Sequence, residues 1–234
     1  MYCCITDSKE HHAEPNTMKI TDKAQDLENF VQAILSEKIM VGDVIKQSEL
    51  CDILGISLSP LRELLVLLEE LNLVQVKPRS GYKIIYPDVD FMRENMQFRI
   101  MIEKNAVESF LNEVTDSWIE NQIEIQKEAL SILQNTDDLE AHNSKIIEID
   151  QAFHREIVKA LKNKAISKAH EYAQIKLRIA RRVHRRFPPV KTNKNALEQH
   201  IDLLETMKSR DASSVISALD AHFASSIHNT LVGY

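Results

Sequence analysis

The chain has 234 residues, a hydrophobic fraction of 44% and a formal net charge of −6. This length leaves room for one large domain or two modest ones, and the hydrophobic fraction is sufficient for a buried core. The negative charge argues against a protein that coats nucleic acid along its length, although it says little about a small local binding surface.

Residues 1–17 are polar and show no periodicity, so we expect a disordered leader. No apolar run is long enough for a membrane helix, and the N-terminus lacks the apolar core of a signal peptide. Cys3, Cys4 and Cys51 offer neither a disulfide framework nor a paired ligand motif, and we expect free thiols. These features predict a cytoplasmic protein with no membrane partner.

The next part of the chain has the pattern of a helix-turn-helix. Apolar residues at helical spacing predict one helix over about residues 22–38, and a short second helix follows at about 47–54. Gly55 is placed to end the second helix, and Ser57 or Ser59 to begin a third that runs to about Leu71. Pro60 is tolerated in the first turn of that helix.

Two short apolar segments then flank a turn sequence. Val74–Val76 and Tyr82–Ile85 surround the segment Lys77-Pro78-Arg79-Ser80-Gly81, a pattern typical of a two-stranded hairpin, or wing. We therefore assign residues 18–87 to a winged helix-turn-helix domain.

The remaining residues, 88–234, show helical periodicity only, so the predicted fold class is mainly α. An all-α antiparallel helical bundle is expected to follow the winged helix-turn-helix. The six predicted helices span about 88–112, 116–135, 144–161, 164–187, 195–208 and 212–231, with Pro188-Pro189 ending the fourth.

A carboxylate and an imidazole interrupt the apolar stripe of the third of these helices. Asp150 and His154 are four residues apart, so both side chains lie on one helical face and can point at one object. Taken alone, such a pair is more typical of a hydrogen-bonded core pair than of a metal site.

Two further histidines favour the metal interpretation. His200 and His222 lie at similar distances on either side of the break near Ser209-Arg210-Asp211, where Asp211 is a plausible N-cap. An antiparallel hairpin would place the two imidazoles at the same height. One carboxylate and three imidazoles suit a divalent transition metal, zinc first, with nickel or manganese as alternatives, and leave positions for water or a ligand.

A candidate ligand site lies on the first helix of the second domain. Arg99 and Glu103 fall within the apolar stripe of Met92, Met96, Ala106 and Phe110. A buried guanidinium is a natural receptor for a carboxylate, although a buried pair with Glu103 is equally compatible. In the basic run further along, we expect most of the arginines to be solvated and Arg178 to reach the pocket. His142, His170, His184 and His228 fit no motif and receive no role.

The segment from Gly55 to Leu64, followed by Leu71-Asn72-Leu73-Val74 and Arg79-Ser80-Gly81, resembles the winged-helix domain of GntR-family transcription regulators. The second domain resembles the FCD effector domain of the FadR subfamily in its six-helix, VanR-like form. The residues that carry this second resemblance are Arg99, Glu103, Asp150, Phe153, His154, Asn163, Glu198, Gln199, His200 and His222.

The resemblance implies a homodimeric, ligand-responsive protein that binds a palindromic DNA operator. It implies that Arg62 contacts a base edge or a phosphate, the alternative being a surface ion pair with Glu63 or Glu69. Ser57, Ser59 and Arg79 are expected to add phosphate contacts, with Gly81 allowing close approach of the wing. All four metal-ligand positions of the metal-binding FCD type are filled.

The sequence also departs from the family pattern. Leu58 stands where an arginine is usual, and Ser48 where a basic or polar residue is common. Residues 18–87 contain 8 Lys and Arg residues and 10 Asp and Glu residues, so this domain has a formal net charge of −2. Because phosphate contacts supply most nonspecific DNA affinity, we expect DNA binding to depend on few residues.

Two classes of function therefore remain. The favoured class is a transcription regulator, in the first instance a repressor of a metabolic operon, that senses a small organic acid at a metal-containing pocket. The alternative is a helical metalloenzyme whose Asp/His₃ centre activates water. The winged helix favours the regulator, because such an enzyme would not need it.

Overall fold

A computed structural model of the chain describes residues 19–135, 139–184 and 189–231. The expected leader, residues 1–17, lies outside these ranges. The N-terminal elements are α1 (Lys19–Leu35), β1 (Val44–Ile45), α2 (Gln47–Leu54), α3 (Leu58–Glu70), β2 (Val74–Lys77) and β3 (Gly81–Ile84).

The predicted helix-turn-helix is confirmed in α2 and α3. Gly55 ends α2 in the left-handed conformation, with φ of 66°, and its N–H donates to the carbonyl of Cys51. Ser57 is the N-cap residue of α3, which begins at Leu58, so Pro60 lies in the first turn as expected. The inner face of α3 packs into the core through Leu61, Leu64, Leu65 and Leu68.

The wing has three strands in the order β1-β3-β2, one more than the sequence predicted. Val44 pairs with Lys83 and Ile45 with Tyr82, so β1 adds an antiparallel edge to the predicted hairpin. A strand of two residues has no periodicity that a sequence pattern can detect.

Among the described residues the bundle contains the six predicted helices, α4 (Val89–Glu113), α5 (Asp116–Asn135), α6 (Leu139–Lys159), α7 (Lys164–Val183), α8 (Pro189–Met207) and α9 (Ala212–Leu231). The boundaries of α6, α7 and α8 differ from the prediction by several residues. Pro189 begins α8, because a proline fits the first turn of a helix, where its missing N–H costs nothing. The α8 prediction therefore began too late.

The two parts of the chain share an apolar interface. The core around α1, α2 and α3 also contains Phe91 and Met92 from α4 and Ile179 and Ala180 from α7. A second core fills the bundle and surrounds the predicted site. In the described ranges no helix has the length and apolar character needed to cross a membrane.

Candidate metal and ligand centre

The four predicted metal ligands come together in the centre of the bundle. Asp150 and His154 lie one turn apart on α6, His200 lies on α8 and His222 on α9. Their potential ligand atoms all lie within 4.8 Å of one another. The Asp150 Oδ1 atom is 3.6 Å from His200 Nε2 and 3.9 Å from His154 Nε2.

The hairpin of α8 and α9 places two of these imidazoles side by side. Asp211 accepts hydrogen bonds from the N–H groups of Ser213 and Ser214 and so caps the start of α9, as the sequence indicated. The rings of His200 and His222 are then 4.7 Å apart between centroids. The equal spacing of the two histidines from the turn is the local reason for this placement.

Each of the three imidazoles has an oxygen acceptor at its Nδ1 atom. His154 Nδ1 lies 2.5 Å from Glu103 Oε2, His200 Nδ1 lies 3.3 Å from Gln126 Oε1, and His222 Nδ1 lies 3.1 Å from Gln199 Oε1. Since only a protonated Nδ1 can donate to these oxygens, the Nε2 lone pair of each ring is left to face the centre. A metal site needs this tautomer.

The electrostatic environment favours neutral imidazoles and an ionised Asp150, the charge states that a metal site requires. Burial lowers the pKa of His154, of His222 and of His200, the last to about 3, so the rings are neutral at pH 7. Burial opposes the charge of Asp150, but the nearby imidazoles and guanidiniums outweigh it and hold its pKa well below the usual range. The centre thus offers one anionic oxygen and three neutral nitrogens.

The donor set fits a divalent transition ion. The Nε2 atoms of His154 and His200 are buried and have no hydrogen-bond partner among the described residues. Leaving such atoms unsatisfied is costly, and an ion at the centre would satisfy them. Two ligand atoms bound at about 2.1 Å to one ion are at most about 4.2 Å apart, so inward movement of less than an ångström brings all four into range.

Arg99 and Glu103 form the buried pair that the sequence allowed. Arg99 Nε donates to Glu103 Oε1 at 2.7 Å, and the guanidinium lies 5.4 Å from the centroid of the Phe223 ring. The Nη2 atom of Arg99 is buried and has no hydrogen-bond partner in the described ranges, so one donor remains for a ligand. Both interpretations of Arg99 are therefore compatible with its geometry.

The carboxylate of Glu103 is already hydrogen-bonded to three side chains of the protein, which leaves little capacity for contact with an effector. Its oxygens accept from Arg99, from His154 and also from His170, whose Nε2 lies 2.8 Å away. Burial disfavours its charge, but His154 and Arg99 lower its pKa well below the usual value. We therefore correct its expected role: Glu103 orients an imidazole and a guanidinium.

The expectations for Arg178 and Arg181 also need correction. Arg178, expected at the pocket, donates through Nη2 to both carboxylate oxygens of Glu28 on α1, at 2.8 and 2.7 Å. Arg181 is the arginine of α7 whose charge acts on Asp150. Three residues along a helix correspond to a rotation of about 60° from the starting face, which separates the two side chains.

His170, to which the sequence assigned no role, is buried against Glu103. It lies three residues before Ala173 and seven before Leu177, so it belongs to the apolar face of α7. Gln126 likewise interrupts the buried stripe of α5. A polar residue inside an apolar stripe is the signal that could have identified both.

The candidate DNA-contacting side chains of α3 and the wing turn are exposed. Ser57, Ser59 and Arg62 are exposed at the start of α3, and Arg79 is exposed in the turn between β2 and β3. Within the described part of the chain, Arg62 has no hydrogen bond or ion pair. Of the alternative partners, Glu63 pairs with Lys23, and Glu69 faces the N–H of Val76.

Glycine is required at position 81 by strand packing, which the sequence did not indicate. Its φ is 130°, and a Cβ atom at this position would lie 2.3 Å from the carbonyl oxygen of Ile45. The close approach that requires glycine is therefore between β3 and β1. This explains the glycine without any contact to DNA.

Taken together, the described elements form a winged helix-turn-helix joined to a six-helix bundle with a buried Asp/His₃ centre. The sequence matches the family described as "Bacterial regulatory proteins, gntR family" over residues 27–84 and the FCD domain over residues 94–225. The chain belongs to the GntR family of transcription regulators and carries an FCD domain. It is accordingly a regulator and not an enzyme.

Individual relatives agree with this assignment. The chain is 29% identical over 179 residues to the uncharacterized HTH-type transcriptional regulator YdhC of Bacillus subtilis (strain 168), covering 68% of this chain and 77% of that protein. Its fold is similar to that of E. coli McbR/YncC, with a TM-score of 0.71 and 16% identity over 89% of this chain and 96% of that one.

A second solved structure shows the same fold. It is a putative transcriptional regulator GntR from Rhodococcus sp. RHA1, with a TM-score of 0.70 and 14% identity, and the match covers 92% of this chain and 99% of that one.

Proposed function

We propose that this regulator carries a divalent transition metal at Asp150, His154, His200 and His222 and senses a small organic acid there. The observation that carries the proposal is that each of the three imidazoles has an oxygen acceptor at Nδ1, while one potential ligand atom from each of the four residues lies within 4.8 Å of the others. Zinc is the first candidate, and nickel or manganese are alternatives. When bound, the ion would supply Lewis acidity and open coordination positions for a carboxylate.

The acid is the ligand class that the surrounding charges favour. Arg99 is 2% exposed, and no hydrogen-bond partner of its Nη2 atom lies in the part of the chain that the structure describes. A guanidinium is a strong donor to carboxylates, particularly where water is excluded. The buried Arg99 would hold one carboxylate of the effector close to the ion.

The DNA-binding part of the proposal rests on α3 and the wing. Ser57, Ser59 and Arg62 would enter or border the major groove, and Arg79 would contact the backbone. We further propose a homodimer on a palindromic operator, because the two-fold symmetry of the dimer then matches that of the DNA site. Exposed apolar side chains on one face of α4, Phe98 at 38% and Met101 at 62%, support a second copy as partner.

We propose repression of a metabolic operon as the regulatory outcome, with the acid releasing the operator. An effector changes DNA affinity only if it binds the two arrangements of the protein differently. The apolar interface between α7 and the winged domain is a route by which the pocket can influence α3.

The test measures metal content, acid binding and operator binding on one preparation. We expect close to one transition-metal ion per chain, and depletion of that ion in His154→Ala, His200→Ala and His222→Ala. The matched control is His170→Ala, because His170 contacts Glu103 and is outside the ligand set. It should retain the ion.

The functional arm compares metal-loaded and chelated protein. Organic acids should weaken operator binding only when the ion is present, and Arg99→Gln should reduce acid binding without removing the ion. Protein purified without chelators that contains no metal, or an effector without an acidic or chelating group that binds metal-free protein equally well, would contradict the proposal.

A further inference from the structure

A second guanidinium, that of Arg181, approaches the proposed ligand centre from α7. His170, Gln174 and Arg181 fall within about 40° of one another around this helix, on the face that packs into the bundle. His170 reaches Glu103 from this face, and Gln174 Nε2 lies 3.4 Å from the carbonyl of Gln151, beside Asp150. Arg181 continues the same face toward the end of α7.

Arg181 and Arg99 contact neighbouring positions of α9. Arg181 Nη2 donates to Ser226 Oγ at 3.0 Å, while Arg99 lies over the ring of Phe223. Ser226 is one turn beyond His222, and residues three or four apart lie on one helical face. Two guanidiniums therefore border the same side of α9 as the imidazole of His222.

The charges of the site do not balance with a metal alone. Asp150 and Glu103 match the two guanidiniums of Arg99 and Arg181, and histidines bind metals as neutral rings. The two charges of a divalent ion then remain uncompensated in a buried region, which is costly. A ligand with two negative charges removes the excess, whereas one with a single charge leaves half of it.

Arg181 is also available for an anion. Within the described residues, no carboxylate lies at ion-pair distance from its guanidinium, and its hydrogen bond is to the neutral hydroxyl of Ser226. By contrast, Arg178 and Arg182 on the adjoining face of α7 pair with Glu28 and Glu37. The arginine of α7 that faces the bundle is thus the one without a carboxylate partner in the described part of the chain.

We infer that the effector is a dicarboxylate, with one carboxylate between the metal and Arg99 and the second at Arg181 and Ser226. This rests on the acid-sensing function proposed above and adds a specificity-determining residue, Arg181. A monocarboxylate would occupy the first position and leave the second guanidinium without its anion.

The test compares acids of equal carbon number by calorimetry on zinc-loaded full-length protein. The pairs are malonate with propionate, succinate with butyrate, and glutarate with pentanoate. We expect at least one dicarboxylate to bind roughly tenfold or more tightly than its monocarboxylate, as befits a charge-assisted hydrogen bond. In Arg181→Gln this ratio should approach one, while the affinity for the monocarboxylate stays the same.

The matched control is Arg178→Gln, which removes the same group three residues earlier but on the face that contacts Glu28. Its dicarboxylate preference should equal that of the wild type. Equal affinity for each pair in the wild type, or equal weakening of both acids by Arg181→Gln, would overturn the inference and leave the acid sensor standing. If no acid of either kind binds, the proposed effector class fails, and the dicarboxylate assignment fails with it.

Discussion

Burial of three neutral imidazoles makes the stability of the metal-free protein depend on pH. The pKa values of His154, His200 and His222 lie below the ordinary histidine value of 6.5, because burial disfavours the charged ring. In the unfolded chain the same rings titrate near their usual value. Above pH 6.5 neither state binds these protons, so the linkage contributes nothing there.

Below that pH the free energy of unfolding should fall. The unfolded chain takes up protons that the folded chain refuses, which costs up to about 1.4 kcal/mol per pH unit for each ring. For His200, whose pKa is lowered to about 3, the loss continues down to that pH. Asp150 and Glu103, with lowered pKa values, add a loss of the same sign at more acidic pH.

Urea unfolding of chelated protein between pH 7 and pH 5 measures this effect. His200→Gln should flatten the pH dependence, because one titrating group is removed. His228→Gln, a change at an exposed residue, should leave it as in the wild type. If the free energy of unfolding of His200→Gln depends on pH as in the wild type, the pKa of His200 is not lowered in the folded state.

The sequence predicted which four candidate ligand residues the structure brings together, but it did not predict which side chains form hydrogen bonds with their imidazoles. Asp150 and His154 are linked by helical spacing, and His200 and His222 by their distance from one turn. Gln126 and His200 are 74 residues apart, and Glu103 and His154 are 51 apart. Such pairs depend on how the helices pack, which neither periodicity nor spacing specifies.

Among the elements, α3 combines few cations with exposed apolar side chains. Leu58 is 42% and Val66 is 60% exposed, and they lie one turn before and one turn after Arg62. Because phosphate contacts are limited by the low number of cations, discrimination between sequences should depend strongly on Arg62.

Arg62→Ala should therefore weaken binding to the cognate operator by about 1–3 kcal/mol and affect random duplex much less. Fluorescence anisotropy with both duplexes at one salt concentration measures the difference. Arg93→Ala is the control, since it removes one cation from an exposed pair with Asp90 on α4. Equal losses on the two duplexes would make Arg62 a phosphate contact and not a base contact.

Prediction of the elements succeeded where patterns were long and failed where they were short. The turn from α2 to α3 followed from Gly55 and Ser57, and the six bundle helices followed from their apolar periodicity. β1 has two residues and is defined only by its pairing with β3. The start of α8 was misjudged because a proline pair both ends and begins helices.

In the whole molecule, α7 connects the ligand centre to the winged domain. One face carries His170, which reaches Glu103, and an adjoining face carries Arg178, which holds Glu28 on α1. Arg182 adds a hydrogen bond to the carbonyl of Leu35 at the end of α1. A small shift of α7 would therefore change both its contact with Glu103 in the ligand centre and its contacts with α1.

The pair of Arg178 with Glu28 gives the sharpest test of this connection. The side chains are 13% and 38% exposed, so we discount the pair for solvent and assign it about 1 kcal/mol. If the pair exists in only one of the two arrangements, Glu28→Gln should change the ratio of operator affinities with and without acid by about fivefold. Because coupling between two binding sites is reciprocal, Glu28→Gln should change the ratio of acid affinities of free and operator-bound protein by the same factor.

Exchange of the two charges provides the rescue that a merely destabilised variant would not show. Arg178→Glu and Glu28→Arg should each disturb the coupling between acid and operator, and the double variant should restore most of it. Lys23→Gln is the control, because Lys23 pairs with Glu63 inside the winged domain and does not reach α7. Coupling that survives both single changes would assign transmission to the apolar contacts of Ile179 and Ala180, which join the same two elements without charge.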